Sequence, residues 1–354
     1  MFPIIKEYHV NHLKLFGTKI LLMLSVISYG QNLDKIIKEN IGKRVDTLVQ
    51  FKTDSPYNYM PVTIISGKEK GPVFTIIAGI HGYEYPPISA VQELLKEIDP
   101  IKLKGTLIVV PIASIGSFYK RTPFVNPLDG KNLNNAFPGS ETGTITEQIA
   151  NYITKEIIPQ SDVFLDIHGG DANEDLLPFV CYYNNTAEEK KTLLSAKLSE
   201  ISGINHIVSY PYTITKTEPA KYAFKQASQN GKTALSIEAG KLGNVQTESV
   251  HLIKKAVYNM LNYMEMYSNG MASVKNPSAV YLNNQEYVKA EIAGIFHSTL
   301  KSGDYIKKGD KIGFVSNEFG KVLMEVKSPA TGVILYKIGT PPVNKGETVF
   351  CIGY

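Results

Sequence analysis

Four apolar runs in this chain end in the same way. "PVFTIIAGI", "GTLIVVPIAS", "DVFLDIHGG" and "TALSIEAG" each set a short, strongly apolar stretch against glycine, proline or other turn-forming residues. Runs this short, bounded in this way, read as buried strands. Between them lie segments with helical spacing. In "ISAVQELLKEID" the apolar residues Ile88, Val91, Leu94, Leu95 and Ile98 share one helix face, and "ITEQIANYITKEII", "EEKKTLLSAKLSEIS" and "SVHLIKKAVYNMLNYMEMY" are helical too. Upstream, "NLDKIIKENIGKRVDTL" is a helix or an extended lead-in, and "YMPVTIISG" is a strand joined to "PVFTIIAGI" by the polar turn "KEKG". Strands alternating with helices predict an α/β fold: a parallel or mixed sheet flanked by helices on both faces.

The character changes near Tyr267. "SNGMASVKNPS" is linker-like, and from Val280 onward the chain reads as short strands and glycine turns. Two stretches there echo one another. Each has a glycine beside an apolar pair, a turn, then Lys308-Gly309-Asp310 or Lys345-Gly346-Glu347, then a strand. Repeated turn chemistry predicts a small all-β module of two similar halves. It resembles the sandwich of biotinyl and lipoyl carrier domains. The segment between its halves, "NEFGKVLMEVKSPATG", lacks the pattern expected around a carrier lysine at Lys321 or Lys327, so a structural or lid-like role is expected instead.

The opposite end reads as a secretory signal. Lys14 and Lys19 precede an apolar run from Ile20 to Ile27, followed by Ser28, Tyr29 and the small residue Gly30. That run is too short to span a bilayer comfortably. The organisation expected is a signal peptide at 1–30, a hydrolase domain at 31–272 and a C-terminal β-sandwich or barrel module at 273–354. The product would be exported, periplasmic or secreted, with no stable membrane span once the signal is gone. Removing 1–30 takes away Lys6, Lys14, Lys19 and Glu7, which lowers the formal charge of +4 by two. So small a charge, with no Lys/Arg-rich block, gives no nucleic-acid footprint. Cys181 and Cys351 lie far apart and form no CxxC pair, which argues against a disulfide framework or a cysteine-based metal site.

Polar residues at the strand ends carry the chemistry. In "TIIAGIHGYEYPP", a strand breaking at Gly79 delivers His81 to the carboxyl edge of the sheet, where ligand crevices form in open α/β folds. Glu84 follows at the entrance of a helix whose first turn suits Pro86 and Pro87. An imidazole and a carboxylate at this spacing supply two of the three protein ligands of a His, Glu, His zinc site. Alone, the pair is equally a loop histidine and a helix-terminal acid. Of the five histidines beyond residue 30, His168 is the other one in a strand-end glycine loop. Asp166 is either its orienting partner or an ordinary buried acid. Glu238 ends the strand "TALSIEAG". A carboxylate there is costly unless something uses it, and in a zinc hydrolase it is the base that takes a proton from the activated water. By itself it could equally cap a helix. The turn-rich segment "YKRTPFVNPLDGKNLNNAFPGS" reads as a surface loop in which Arg121 could stabilise an oxyanion and Asn134 could hold a substrate polar group.

These motifs, "GIHGYE", "RTPFVNPLDGKNLNNAFPG", "DIHGG" and "SIEAG", occur in one order over roughly Pro72 to Gly240. Together they resemble the succinylglutamate desuccinylase/aspartoacylase family, relatives of the zinc carboxypeptidases, in which the C-terminal β module is also typical. The resemblance implies a zinc carboxypeptidase-like mixed sheet, one Zn²⁺ on His81, Glu84 and His168, and Glu238 as catalytic acid/base. It further implies Arg121 as carbonyl polariser and Asn134 as a substrate contact. One position departs. Where the family's "NLNR.FPG" places an arginine that clamps a substrate carboxylate, this chain has Asn135. Asparagine cannot make the charged two-pronged contact. Lys131 or Arg121 would have to substitute, or the substrate lacks that carboxylate.

The expected activity is a zinc-dependent deacylase that opens an amide or ester of a small N-acylated molecule. A carboxypeptidase-like or cell-wall peptide amidase is an alternative, as is a zinc-retaining protein that binds without turnover. The expected partner is a small acylated substrate, and a homo-oligomer stays open.

Overall fold

The structure is a computed structural model and describes residues 25–27, 33–268 and 279–354. Most of the segment expected to be a signal peptide, and the expected linker residues 269–278, lie outside the described residues. Ser25–Ile27 within the former is an edge strand paired with Thr47–Val49, so cleavage near Gly30 would remove that strand. The strands of the main body are β1 Ser25–Ile27, β2 Lys43–Gln50, β3 Tyr59–Ser66, β4 Glu69–Ala78, β5 Lys104–Val110, β6 Val163–His168, β7 Glu174–Leu176, β8 Phe179–Asn184, β9 His206–Pro211, β10 Thr233–Glu238 and β11 Val280–Leu282. Among the described residues, all but β7 form one ten-stranded sheet in the order β1-β2-β3-β5-β4-β6-β10-β8-β9-β11. Its centre, β5-β4-β6-β10, is parallel, and the antiparallel pairings β2/β3, β3/β5 and β10/β8 make it mixed. The predicted class is therefore the observed one.

The apolar runs explain both covered faces. Side chains alternate across a strand, so Ile77 and Phe164 join one core cluster with Tyr152 and Ile153. Ile76 and Leu165 join the other with Val91, Leu94 and Val257. Helices Ile145–Tyr152 and Ala223–Gln229 cover the first face. Helices Tyr85–Glu97 and Thr247–Tyr263 cover the second. The strands around "KEKG" are consecutive but do not pair, because β5 lies between β3 and β4.

This ordering makes a crevice. The chain leaves β4 for β5 on one side, and β6 then takes the other side. Open parallel sheets bind ligands at the carboxyl ends of strands where the order reverses in this way. His81 follows β4, His168 ends β6 and Glu238 ends β10, and these three strands are neighbours.

The C-terminal region is all-β as expected. Gln285–Lys289, Thr348–Gly353, Gly332–Ile338 and Tyr305–Ile306 form one sheet. Val322–Lys327, Lys311–Ser316, Gly294–His297 and Pro342–Val343 form a second. Phe296, Ile312, Val315, Ile334, Val349 and Phe350 pack together in its core. The sequence echo is a repeated turn. Gly309 and Gly346 sit at φ +90° and +91°, and the acid after each accepts a backbone N–H three residues back, Lys307 to Asp310 at 2.9 Å and Asn344 to Glu347 at 2.6 Å. Left-handed backbone of this kind favours glycine.

The two parts exchange strands. β11 pairs with β9 in the large sheet, whereas β7 leaves the main body and pairs antiparallel with Gly332–Ile338 of the module. Asp175 in the middle of β7 reinforces this seam. Its carboxylate accepts from Ser302 N at 3.1 Å, Ser302 Oγ at 2.9 Å and Lys241 Nζ at 3.0 Å.

Candidate metal centre and substrate cavity

His81, Glu84 and His168 converge. One donor atom from each lies within 4.8 Å of the others, and among the described residues this is the one His/Cys/Asp/Glu cluster that does so. Nδ1 of His81 stands 2.6 Å from Oε1 of Glu84, and Nδ1 of His168 stands 3.1 Å from Oε2. The three residues are 9%, 2% and 4% exposed. Local sequence makes this convergence possible. Gly79 turns the chain at φ +65°, and a Cβ on Gly82 would run into the backbone nitrogen of Phe118, so glycine alone lets that loop pack against helix Ile115–Lys120. Glu84 occupies the N-cap position of helix Tyr85–Glu97 without capping it. Its carboxylate faces the histidines instead.

His81 Nε2 lies within hydrogen-bond distance of Oδ1 of Asn132 at 3.1 Å, and His168 Nε2 stands 3.1 Å from Oδ1 of the fully buried Asp166, a close charge contact without hydrogen-bond geometry. Partners of this kind fix which ring nitrogen is left to face a metal. Burial alone would raise the Glu84 carboxyl, but the charges and hydrogen bonds of His81 and His168 outweigh it and bring it to about 2. Burial favours a neutral His168, yet Asp166 and Glu84 hold it well above the usual histidine range. His81 shows the same contest, with Glu84 prevailing. The pocket thus attracts positive charge to the point where three carboxylate and imidazole groups meet. A buried set of two imidazoles and one carboxylate, with Nδ1 atoms turned to a shared carboxylate, fits a divalent zinc ion.

Glu238 stands beside this cluster. It pairs in register with His168 across β10 and β6, so both side chains leave the sheet on the same face. Its carboxylate makes no hydrogen bond among the described residues and lines a cavity of about 450 Å³ together with His81, Glu84 and His168. Burial is the main cause that raises it to about 8. His168 opposes the rise, and the nearby carboxylates Glu84, Glu174 and Asp166 add to it. An unengaged carboxyl next to a metal-type cluster has the placement of a proton acceptor.

The family model described as the succinylglutamate desuccinylase/aspartoacylase catalytic domain matches residues 70–264. The chain belongs to that family. It is 30% identical over 304 residues to the N-alpha-acetyl-L-2,4-diaminobutyric acid deacetylase of Halomonas elongata, covering 83% of this chain and 85% of that one. It is 25% identical to a probable aspartoacylase of Nostoc sp., covering 67% of this chain and 82% of the relative. Among solved structures, a succinylglutamate desuccinylase from Silicibacter sp. superposes with a TM-score of 0.77 at 23% identity, covering 88% and 94% of the two chains. The product-bound ectoine utilization protein of Ruegeria pomeroyi gives 0.74 at 22% identity, covering 87% and 93%. These two show the shared fold. Family membership supports hydrolysis of an amide bond.

Of the residues expected in the family's substrate loop, Asn134 lines the cavity and two others stand outside it. Arg121 is exposed at the left-handed end of helix Ile115–Lys120, and its charge acts on Tyr85. Asn135, at the family's arginine position, is exposed and borders a separate depression with Lys131 and Pro138. Sequence reading missed Asn132 as the partner of His81. It also missed most of the cavity wall: Glu174 and Leu176 from β7, Tyr210 from β9, and Tyr287, Tyr336 and Glu347 from the module. The module is thus a wall of the cavity. Nothing in its local sequence marks these residues, because their role arises from the strand exchange.

Proposed function

We propose that the chain is a zinc-dependent deacylase that cleaves the amide bond of a small N-acylated substrate, and that it is exported. The observation that carries the enzymatic reading is the convergence of His81, Glu84 and His168 beside an unengaged Glu238 at the mouth of one cavity. The Halomonas relative's name specifies an N-acetyl group, which supports an amide as the scissile bond.

His81 and His168, oriented by Asn132 and Asp166, and the carboxylate of Glu84 would hold the ion. Zinc bound there supplies a Lewis acid that polarises the acyl carbonyl and acidifies water. Glu238 accepts the proton of the attacking water and passes it to the departing amine nitrogen. Burial raises its pKa, and a dication held by the neighbouring ligands would draw it back toward the carboxylate that accepts the proton. Asn134 lies where its carboxamide can orient the acyl group. Arg121 is exposed near Tyr85 and outside the cavity lining, so polarising the acyl carbonyl would require its side chain to swing toward the cluster.

Glu238→Gln should keep stoichiometric zinc while lowering kcat by about two to four orders of magnitude. Metal analysis and steady-state kinetics on N-acetyl amino acids measure both, and full turnover in that variant removes Glu238 from the chemistry. Export rests on the order of Lys14 and Lys19, the apolar run to Ile27 and Gly30. Secretion from an expressing cell with a new N-terminus near Gln31 supports it. An intact N-terminus in the cytoplasmic fraction refutes it.

A further inference from the structure

Phe124 is a strained residue beside the metal-type centre that the chemistry above leaves unused. Its backbone sits at φ +58°, in the left-handed region, where a bulky side chain is rarely found. Val125 N donates to Pro123 O at 2.6 Å and closes a three-residue turn around it. With a positive φ at the centre, such a turn is the rare, strained form.

The surroundings hold this conformation. Phe124 N donates at 2.9 Å to Oδ2 of Asp171, a fully buried carboxylate in the loop after His168. The residues on either side are tied as well. Thr122 N donates to Ser117 O at 3.1 Å, Ser117 Oγ to Val125 O at 3.1 Å and Asn126 N to Lys131 O at 2.9 Å. Strain that survives because its surroundings enforce it clusters at functional sites. Here the enforced turn fixes the place of a ring. The Phe124 ring stands edge-on to that of His81, with centroids 6.0 Å apart, and lines the cavity.

The sheet tells which half of a substrate meets that ring. His81 follows β4, Glu238 ends β10, and β6 with His168 lies between them. Glu238 passes its proton to the departing amine nitrogen, so the amine half lies on the β10 side of the scissile bond. The acyl half then extends the other way, toward the His81 side where Phe124 packs. Beyond β10 the cavity continues to Phe179 of β8 and Tyr210 of β9, whereas at the His81 end its lining comes from one loop, as Phe124 and Asn134.

We propose that Phe124 limits the length of the acyl group, and that Asp171 positions it for this by holding the strained turn. This rests on the deacylase reading and adds a specificity determinant to it. With its backbone locked, the ring yields only through its own rotamers, so added methylenes on the acyl chain meet a wall.

The test compares N-acetyl- and N-butyrylalanine, which share one amine, on the zinc-loaded parent, Phe124→Ala, Phe124→Gly and Asp171→Asn. In Phe124→Ala the butyryl-to-acetyl ratio of kcat/KM should rise about tenfold or more over the parent, the scale on which pockets discriminate methylenes. Asp171→Asn keeps the ring, so it should raise the ratio less, and in the Phe124→Ala background it should add nothing. A merely structural Asp171 would lower Tm without moving the ratio. Phe124→Gly should match the ratio of Phe124→Ala but melt higher, since glycine carries no strain at φ +58°. The reverse order of Tm refutes the strained turn. Hydrolysis with an unchanged ratio in Phe124→Ala overturns the proposal and leaves deacylation standing. If neither amide is hydrolysed, butyrate and acetate themselves serve as ligands, read as Tm shifts of the zinc-loaded proteins. A gain of butyrate over acetate in Phe124→Ala relative to the parent then upholds the limit while the deacylase reading falls. The same preference in both proteins sinks it.

Discussion

Asp175→Ala tests whether the module is a working wall of the cavity or merely an attached domain. Asp175 is 8% exposed and accepts three hydrogen bonds that join β7 to Ser302 of the module and to Lys241 of the main body. Alanine leaves the Ser302 N–H without its acceptor, at a cost of about 1–3 kcal/mol. The Ser302 hydroxyl can turn to solvent and adds little. The Lys241 side chain is 44% exposed, so its ion pair contributes less than about 1 kcal/mol. The sum is about 1–4 kcal/mol. At about 1.5 °C per kcal/mol for a chain of this length, this lowers the melting temperature by about 2–6 °C. Loosening β7 also displaces Glu174 and Leu176 from the cavity wall, whereas His81, His168 and Glu238 are held by β4, β6 and β10. KM should therefore rise several-fold with kcat changed less. Thermal unfolding followed by kinetics on the zinc-loaded protein reads both, and Lys241→Ala should show only a minor part of the thermal effect. A melting temperature within about 1 °C of the parent, or a lost kcat at constant KM, would refute this account of the seam.

Further outcomes follow from the same geometry. His168→Ala removes one of three convergent donors and opens space beside Asp166, so zinc should fall well below one equivalent by metal analysis, and retained stoichiometric zinc would exclude His168 as a ligand. Zinc should bind with proton release and more weakly as pH falls, because burial does not stop Glu84 and Asp166 from holding the two histidines above their ordinary range, and the ion must displace those protons. Calorimetry in buffers of different ionisation enthalpy measures that release. Asp175 also predicts an acid limb in stability. Burial opposes its ionisation, but Ser302 and Lys241 prevail and hold its pKa below the ordinary aspartate value of about 4. A carboxyl depressed in the folded state stabilises it fully above the unfolded pKa and loses that contribution as pH falls through the folded one. The difference in stability between the parent and Asp175→Ala should thus be constant near neutrality and shrink below about pH 4.

The central sheet was legible because burial on both faces demands uninterrupted apolar strands, and "VFTIIA", "LIVV" and "VFLDI" have few other uses. The strands Phe179–Asn184 and His206–Pro211 were not legible, since "FVCYYN" and "HIVSYP" mix tyrosine, serine and asparagine in no clean period. Their place depends on antiparallel pairing of Phe179–Asn184 with β10, a non-local contact. The placement of Arg121 shows the same limit. The loop motif located it in sequence, but the left-handed turn closing helix Ile115–Lys120 leaves it exposed.

The sequence by itself put His81, His168 and Glu238 at the sheet edge, because a polar residue beside glycine at the end of a buried strand has nowhere else to go. It put Glu84 at the following helix entrance. Their joint role was legible only from the order of the four motifs. Tertiary structure decided the cavity that faces them. Asn173 lies in an unremarkable turn, Glu174 opens the three-residue strand β7, and Tyr287, Tyr336 and Glu347 lie in a module with its own core. They become one surface because β7 completes the module's sheet, a pairing between residues about 160 positions apart that no local period encodes.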